Sequence, residues 1–276
     1  MMYKIAIIFL LLSWTGFLHA QTTLRGQVIE AETGDPIPYV NIGVKALAIG
    51  TVSNAEGNFE LKLASLDAVV TFSAIGYETV DISARQLQTQ QEIALVRRKY
   101  QMPLVEVTAS TFTEDKIFGE RNEKRGLSIG FGSQELGAEI GALIELGAPT
   151  LIKSANFVLN HAQGDSMLFR VNLYDYENEQ IGENLLREHI LIRTAQQKGL
   201  ITVDLSTYDL LLDGAVLLSL EWIRDDEGKG NVGITFDTKK GKSLKGVYVK
   251  HTSLSDFTKL DYKSNLKPCF YLVGKQ

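Results

Sequence analysis

Hydrophobic and polar residues alternate along this chain in short runs with a period of two, the spacing of half-buried strands rather than of helices. Leu24, Gly26 and Val28 alternate first, then Val40, Ile42 and Val44, then Phe59, Leu61 and Leu63. Turn chemistry separates them. In Glu32-Thr33-Gly34-Asp35-Pro36 the glycine tolerates positive φ and the proline presets its own, and the stretch Gly50-Thr51-Val52-Ser53-Asn54-Ala55-Glu56-Gly57-Asn58-Phe59 places a polar turn between a strand entering and a strand leaving through Phe59, Leu61 and Leu63, which reads as a hairpin. Further strands are predicted at 153–160, 167–174, 188–193, 200–205, 215–222, 231–236 and 244–250. The intervals between these seven are too short for crossover helices, which excludes a parallel α/β sheet and favours an antiparallel, jelly-roll-like sandwich. Residues 126–147 are Gly-rich and their pattern does not decide a conformation, while 110–125 read as a polar linker or an exposed first strand. The expected fold class is all-β.

The first segment changes the picture from fold to compartment. Lys4 precedes an apolar stretch at 5–18, and Leu18-His19-Ala20 offers a small-residue cleavage site before Gln21, so residues 1–20 read as an export signal. The stretch is shorter than the roughly 18 residues of a spanning helix, and no other stretch of the chain is long and apolar enough to span. No cysteine near the cleavage point offers a site for lipid attachment. Composition adds exclusions: of 276 residues 45% are hydrophobic and 22% charged, which suits packed domains rather than disorder. The net charge of -5 is interspersed and supplies no basic field, so a nucleic-acid partner is not expected. Cys269 is the only cysteine, which excludes an intramolecular disulfide and a Cys-x-x-Cys metal site, and it is expected to be a buried apolar residue. An exported chain without disulfides suits the periplasm, outer membrane or cell surface of a Gram-negative bacterium.

Four segments together resemble the carboxypeptidase-regulatory-like domain, a small prealbumin-like β-sandwich. They are Gly26-x-Val28, Thr33-Gly34-x-Pro36-Ile37-Pro38-x-Val40-Asn41-Ile42, Gly50-Thr51-x-Ser53-Asn54-x-x-Gly57-x-Phe59 and Phe72-Ser73-x-x-Gly76-Tyr77-Glu78. The resemblance implies a module over 21–108 and a closing strand near 93–96, although 83–99 has reasonable intrinsic helix propensity and a helical turn fits near 84–87. In this family the module occurs on peptidases and in front of the plug and barrel of TonB-dependent outer-membrane transporters, and Leu104-Val105-Glu106-Val107-Thr108 resembles the lead into such a plug. A transporter barrel of some 22 strands needs more than about 200 residues in strands alone, and 168 of the 276 residues follow Thr108, so a transporter is not expected. Phe169-Arg-Val-Asn-Leu-Tyr, Ile201-Thr-Val-Asp-Leu-Ser and Glu221-Trp222 resemble a sandwich appended to the same module in other exported bacterial proteins. The expected organisation is a signal at 1–20, the module at 21–108, a linker or first strand at 109–125 and a jelly-roll-like sandwich at 126–276.

Candidate chemistry is sparse. Gly126-Leu127-Ser128-Ile129-Gly130 fits G-x-S-x-G, with Asp204 and His251 in the order of a hydrolase triad, but the strand-to-helix elbow that exposes such a serine has no place in an all-β chain. The mature chain keeps His161, His189 and His251 without a His-Glu-x-x-His spacing, so no metal or cofactor is expected, and Asp225-Asp226-Glu227 reads as a solvated loop before it reads as a calcium site. Strand alternation is more informative. With Phe169, Val171 and Leu173 turned inward, Arg170, Asn172 and Tyr174 share the opposite face, and Ser219 and Glu221 join them if Leu218, Leu220 and Trp222 turn inward; His189 and Arg193 extend the set. Arg170, Asn172, Tyr174 and Glu221 are therefore the candidate ligand-binding residues, on a face suited to a sugar ring or a protein loop. The expected function is a non-catalytic, exported accessory or adhesion-type binding protein with an envelope protein or glycan partner. Carbohydrate binding is the first alternative and a Ser128 hydrolase the second.

Overall fold

The alternation seen in the sequence becomes two separate hydrophobic cores. The computed structural model describes residues 21–99, 112, 114–121, 128–131, 136–163, 166–225, 233–240, 247–260 and 266–276. Residues 1–20, expected to be an export signal, the segment 104–108, expected to resemble the lead into a plug, and most of Asp225-Asp226-Glu227 fall outside these residues. Among the described residues the regular elements are strands and three short 3₁₀ turns, so the chain is all-β.

The amino-terminal module contains β1 (Thr22–Glu30), β2 (Asn41–Val44), β3 (Ile49–Val52), β4 (Asn58–Leu63), β5 (Val69–Ser73), β6 (Val80–Ser83) and β7 (Glu92–Leu95). They form two sheets, ordered β4-β1-β7 and β3-β2-β5-β6. Strict alternation of exposed and buried positions along β4 delivers Phe59, Leu61 and Leu63 to the interior, where Phe59 meets Phe72 of the other sheet edge-to-face at 5.4 Å. The hairpin anticipated around the turn at 53–57 is corrected: β3 pairs with β2 and β4 with β1, so the turn carries the chain from one sheet to the other. The turn itself has a physical basis. Asn54 Oδ1 accepts from the N–H groups of Glu56 and Asn58, and Gly57 has φ +74 with Val28 O only 2.6 Å from where a Cβ would stand. At 83–99 tertiary context overrides propensity: a 3₁₀ turn spans Gln86–Gln88, and β7 closes the sheet by pairing parallel to β1.

The remainder holds more strands than the seven expected. They are β8 (Asp115–Gly119), β9 (Ser128–Phe131), β10 (Glu139–Glu145), β11 (Thr150–Gln163), β12 (Met167–Glu177), β13 (Gln180–Asn184), β14 (Ile190–Thr194), β15 (Gly199–Asp204), β16 (Leu211–Leu212), β17 (Ala215–Asp225), β18 (Gly233–Lys240), β19 (Val247–Lys250), β20 (Thr258–Leu260), β21 (Leu266–Pro268) and β22 (Phe270–Lys275). One sheet runs β13-β12-β17-β10-β19-β20 with β14 also on β12. The other runs β21-β18-β11-β22-β8 with β15 and β16 on β11 and β9 on β18. Pairings within both are antiparallel. Phe169, Val171 and Leu173 of β12 and Leu218, Leu220 and Trp222 of β17 turn into the core between the sheets, as alternation requires. Cys269 is fully buried.

The outer face of the β12–β17 sheet is not open. The burial pattern of β12 is continuous from Met167 to Leu173, so both of its faces are covered there. Part of the cover is the amino-terminal module, which contacts this sheet through Tyr39, Asn41, Lys45, Thr51 and Arg98.

Candidate functional site

Arg170 and Glu221 stand opposite each other in the β12–β17 ladder, which brings their side chains together on the sheet's outer face. Nε and Nη2 of Arg170 each donate to the carboxylate of Glu221 at 2.8 Å, a bidentate pair whose members are each 1% exposed. Nη1 donates to the carbonyl of Tyr39 at 2.9 Å and to His189 Nδ1 at 2.9 Å, and Nη2 also donates to Asn41 Oδ1 at 2.8 Å. The five N–H bonds of the guanidinium thus meet five acceptors, two of them in the other module. Burial opposes the charge on Arg170, and Glu221 beside it more than restores it. Burial likewise pushes the Glu221 carboxyl up, but the guanidinium and the Asn172 amide hold it below the ordinary range. Because Arg170 can only donate, His189 Nδ1 must accept and the proton sits on Nε2; burial and the neighbouring guanidinium lower the His189 pKa to about 3, so the ring is neutral.

A second buried carboxylate, Glu139 at the start of β10, lies on the same face. It accepts from Tyr174 Oη at 3.0 Å, Ser219 Oγ at 2.7 Å and Lys250 Nζ at 2.9 Å. Burial and the nearby carboxylates raise the Tyr174 phenol well above its ordinary value, which keeps it a donor. Lys250 lies 5.1 Å from the Tyr174 ring centroid and 4.6 Å from that of Phe257. Asn172 extends the Glu221 end, donating to its carboxylate at 3.0 Å and accepting from Asn184 at 2.9 Å.

Above this network lies a cleft of about 950 Å³. Its walls come from both modules: Asn41, Ser73 and Tyr77 on one side, Tyr176, Ile181 and Phe257 on the other. Two ion pairs link the modules here, Lys45–Asp256 at 2.8 Å and Arg98–Glu183 at 3.3 Å. Ser253 Oγ donates to the carbonyl of Thr51 at 3.4 Å.

The four candidate residues Arg170, Asn172, Tyr174 and Glu221 do come together, and all four line the cleft floor. The face they share is partly covered by the amino-terminal module, and Arg170 has no donor left over for a ligand. His189 joins through Arg170, whereas exposed Arg193 lies further along the sheet, in register with Leu168 and reaching Ser166 Oγ. Sequence reasoning missed Glu139, Lys250 and Phe257. A lone carboxylate opening the apolar run Ile140-Gly141-Ala142-Leu143-Ile144 was the available signal, since a charge on such a strand must be paired. The hydrolase constellation does not assemble at an elbow. Ser128 sits on β9 opposite Asp237, Asp204 accepts from the Ser206 N–H after β15, and His251 follows β19 in the other sheet.

Residues 24–108 match the family described as the CarboxypepD_reg-like domain. This segment is a CarboxypepD_reg-like domain. Two TonB-dependent receptors of Formosa agariphila are similar to the chain. "TonB-dependent receptor P3" is 30% identical over 104 residues and "TonB-dependent receptor P39" 32% over 113, covering 38% and 41% of this chain. The chain spans only about 10% of either receptor's length. Among solved structures, the cysteine protease and lectin-like domains of Cwp84 from Clostridium difficile align at TM-score 0.42 and 10% identity over 83% of this chain and 45% of that one. Infectious bursal disease virus, Gx strain, aligns at TM-score 0.29 and 11% identity over 95% and 63%. Likenesses this distant transfer no function. Asn41, part of the CarboxypepD_reg-like domain and of its quoted motif, is one of the residues that grips Arg170.

Proposed function

We propose that this chain is a non-catalytic, exported accessory or adhesion-type binding protein of the Gram-negative cell envelope, and that its ligand sits in the cleft between the CarboxypepD_reg-like domain and the sandwich. One observation carries this reading: a cleft of about 950 Å³, within the size range of ligand sites, walled by both modules over a network in which the buried carboxylates of Glu139 and Glu221 are hydrogen-bonded. The floor is rigid because its carboxylates are held by named donors, and rigid floors lose little entropy on binding. The similarity to TonB-dependent receptors supports an envelope setting. Among the described residues no helix is long and apolar enough to cross a membrane.

The experiment is a crosslinking capture from the native envelope fraction with wild type and Ser73→Trp, which fills the cleft from β5. Partners captured by wild type are expected to be lost in the variant. Equal capture by both proteins refutes the cleft as the site, and stoichiometric labelling of a single residue by an active-site-directed probe refutes the non-catalytic role.

A further inference from the structure

We infer that the cleft takes an uncharged, polyhydroxylated ligand, a segment of neutral oligosaccharide, against a half-buried aromatic corner formed by Tyr174, Tyr176 and Phe257. The inference rests on the cleft being the ligand site and adds the ligand's chemical class.

Charge balance comes first. The cations at the cleft are paired on the spot: Arg170 with Glu221, Lys250 with Glu139 beneath it, Lys45 with Asp256 and Arg98 with Glu183. Among the described lining residues Lys259 and Glu179 remain, one of each sign. A charged ligand meets no net field here and finds a single unpaired counter-ion of either sign, Lys259 or Glu179, with every other charge already engaged. A neutral one needs none.

The surface chemistry is the second line. Tyr174 and Phe257 meet edge-to-face at 5.3 Å, and Tyr176 and Tyr248 at 6.0 Å with their hydroxyls 3.0 Å apart. Three of these four rings keep part of their surface accessible at the cleft. Exposed ring surface beside polar groups matches a sugar, which presents C–H patches and hydroxyls together. The polar groups have spare capacity of both kinds. Arg170, a donor only, fixes the Asn41 amide with its oxygen inward, which leaves the Asn41 Nδ2 hydrogens free for the cleft. Lys259 adds donors and Glu179 acceptors.

The test screens the mature two-module chain against neutral oligosaccharides, acidic oligosaccharides and peptides, with Phe257→Ala, Tyr176→Ala and the exposed Lys259→Met alongside. Melting temperatures of the variants establish that each is folded. The expected result is saturable binding of a neutral oligosaccharide, changed less than about twofold between about 0.05 and 0.5 M salt, and weakened about tenfold or more by Phe257→Ala or Tyr176→Ala. Lys259→Met is expected to retain it. Binding restricted to acidic sugars, steeply salt-dependent and lost in Lys259→Met, overturns the inference, as does binding restricted to peptides. If Ser73→Trp abolishes envelope capture and no neutral oligosaccharide competes with it, the ligand class alone has failed; if Ser73→Trp changes nothing, the cleft reading has failed first.

Discussion

Replacing Arg170 by leucine tests the buried network most directly. The substitution removes all five donors at once while leaving a side chain able to pack. Glu221, 1% exposed, keeps only the Asn172 amide at 3.0 Å, and Tyr39 O, Asn41 Oδ1 and His189 Nδ1 each lose a partner. Removing one member of a buried ion pair costs about 3–5 kcal/mol, most of it the stranded charge. For a chain of this size about 1 kcal/mol moves the melting temperature by about 2–4 °C, so a loss of about 6–20 °C is expected. Two of the five bonds cross between modules, so calorimetry is expected to show one coupled transition for wild type and two for the variant. The double variant Arg170→Leu/Glu221→Leu removes both charges and should recover much of the melting temperature, because paired buried charges are replaceable by apolar groups. It should not restore one transition, since the bonds to Tyr39 and Asn41 are still missing. A single variant that melts within about 2 °C of wild type in one transition would show that the network neither stabilises the sandwich nor couples the modules.

The other expectations are more local. His189 has a folded-state pKa of about 3 against an ordinary 6.5, so between these values the unfolded chain binds a proton that the folded chain refuses, and stability falls as pH drops from about 6.5. His189→Gln, which still offers Arg170 an acceptor, should flatten urea-derived stability between about pH 4.5 and 6.5 by up to a few kcal/mol; an unchanged slope refutes a neutral buried ring. Gly57→Ala forces a Cβ to within 2.6 Å of the Val28 carbonyl at φ +74 and should destabilise the amino-terminal module by about 2 kcal/mol or more in chemical denaturation. Lys45→Ala breaks an exposed intermodule pair and should cost less than about 1 kcal/mol by the same assay. Fluorophosphonate labelling should leave Ser128 unmodified, and stoichiometric modification there would revive the hydrolase reading.

Legibility followed the range of the interaction. Period-two alternation correctly turned Phe169, Val171 and Leu173 inward and set Arg170 and Asn172 on the other face, because that is a property of the strand itself. What covers the other face is set by Tyr39 and Asn41, which lie 131 and 129 residues away along the chain and leave no local trace in β12. β10 escaped for a related reason. It is a central strand between β17 and β19, its side chains are buried from Glu139 to Ile144, and a strand covered on both faces shows no alternation to read. The turn motif of the amino-terminal module was legible because its residues act within a few positions: Asn54 closes its own turn by accepting from Glu56 and Asn58.

The same contacts argue against treating the amino-terminal module as an independent appendage. Tyr39 holds φ 56, a left-handed conformation that favours glycine, and its carbonyl is one of the acceptors of Arg170 Nη1. A non-glycine residue keeps such a conformation only where its surroundings over-determine it. Here the surroundings include a buried guanidinium from the sandwich, so the local strain and the intermodule bond support each other. Tyr39 contributes through its backbone carbonyl, whereas Asn41 contributes its side-chain amide. Two residues of one short segment thus couple the module's internal fold to the floor of the cleft.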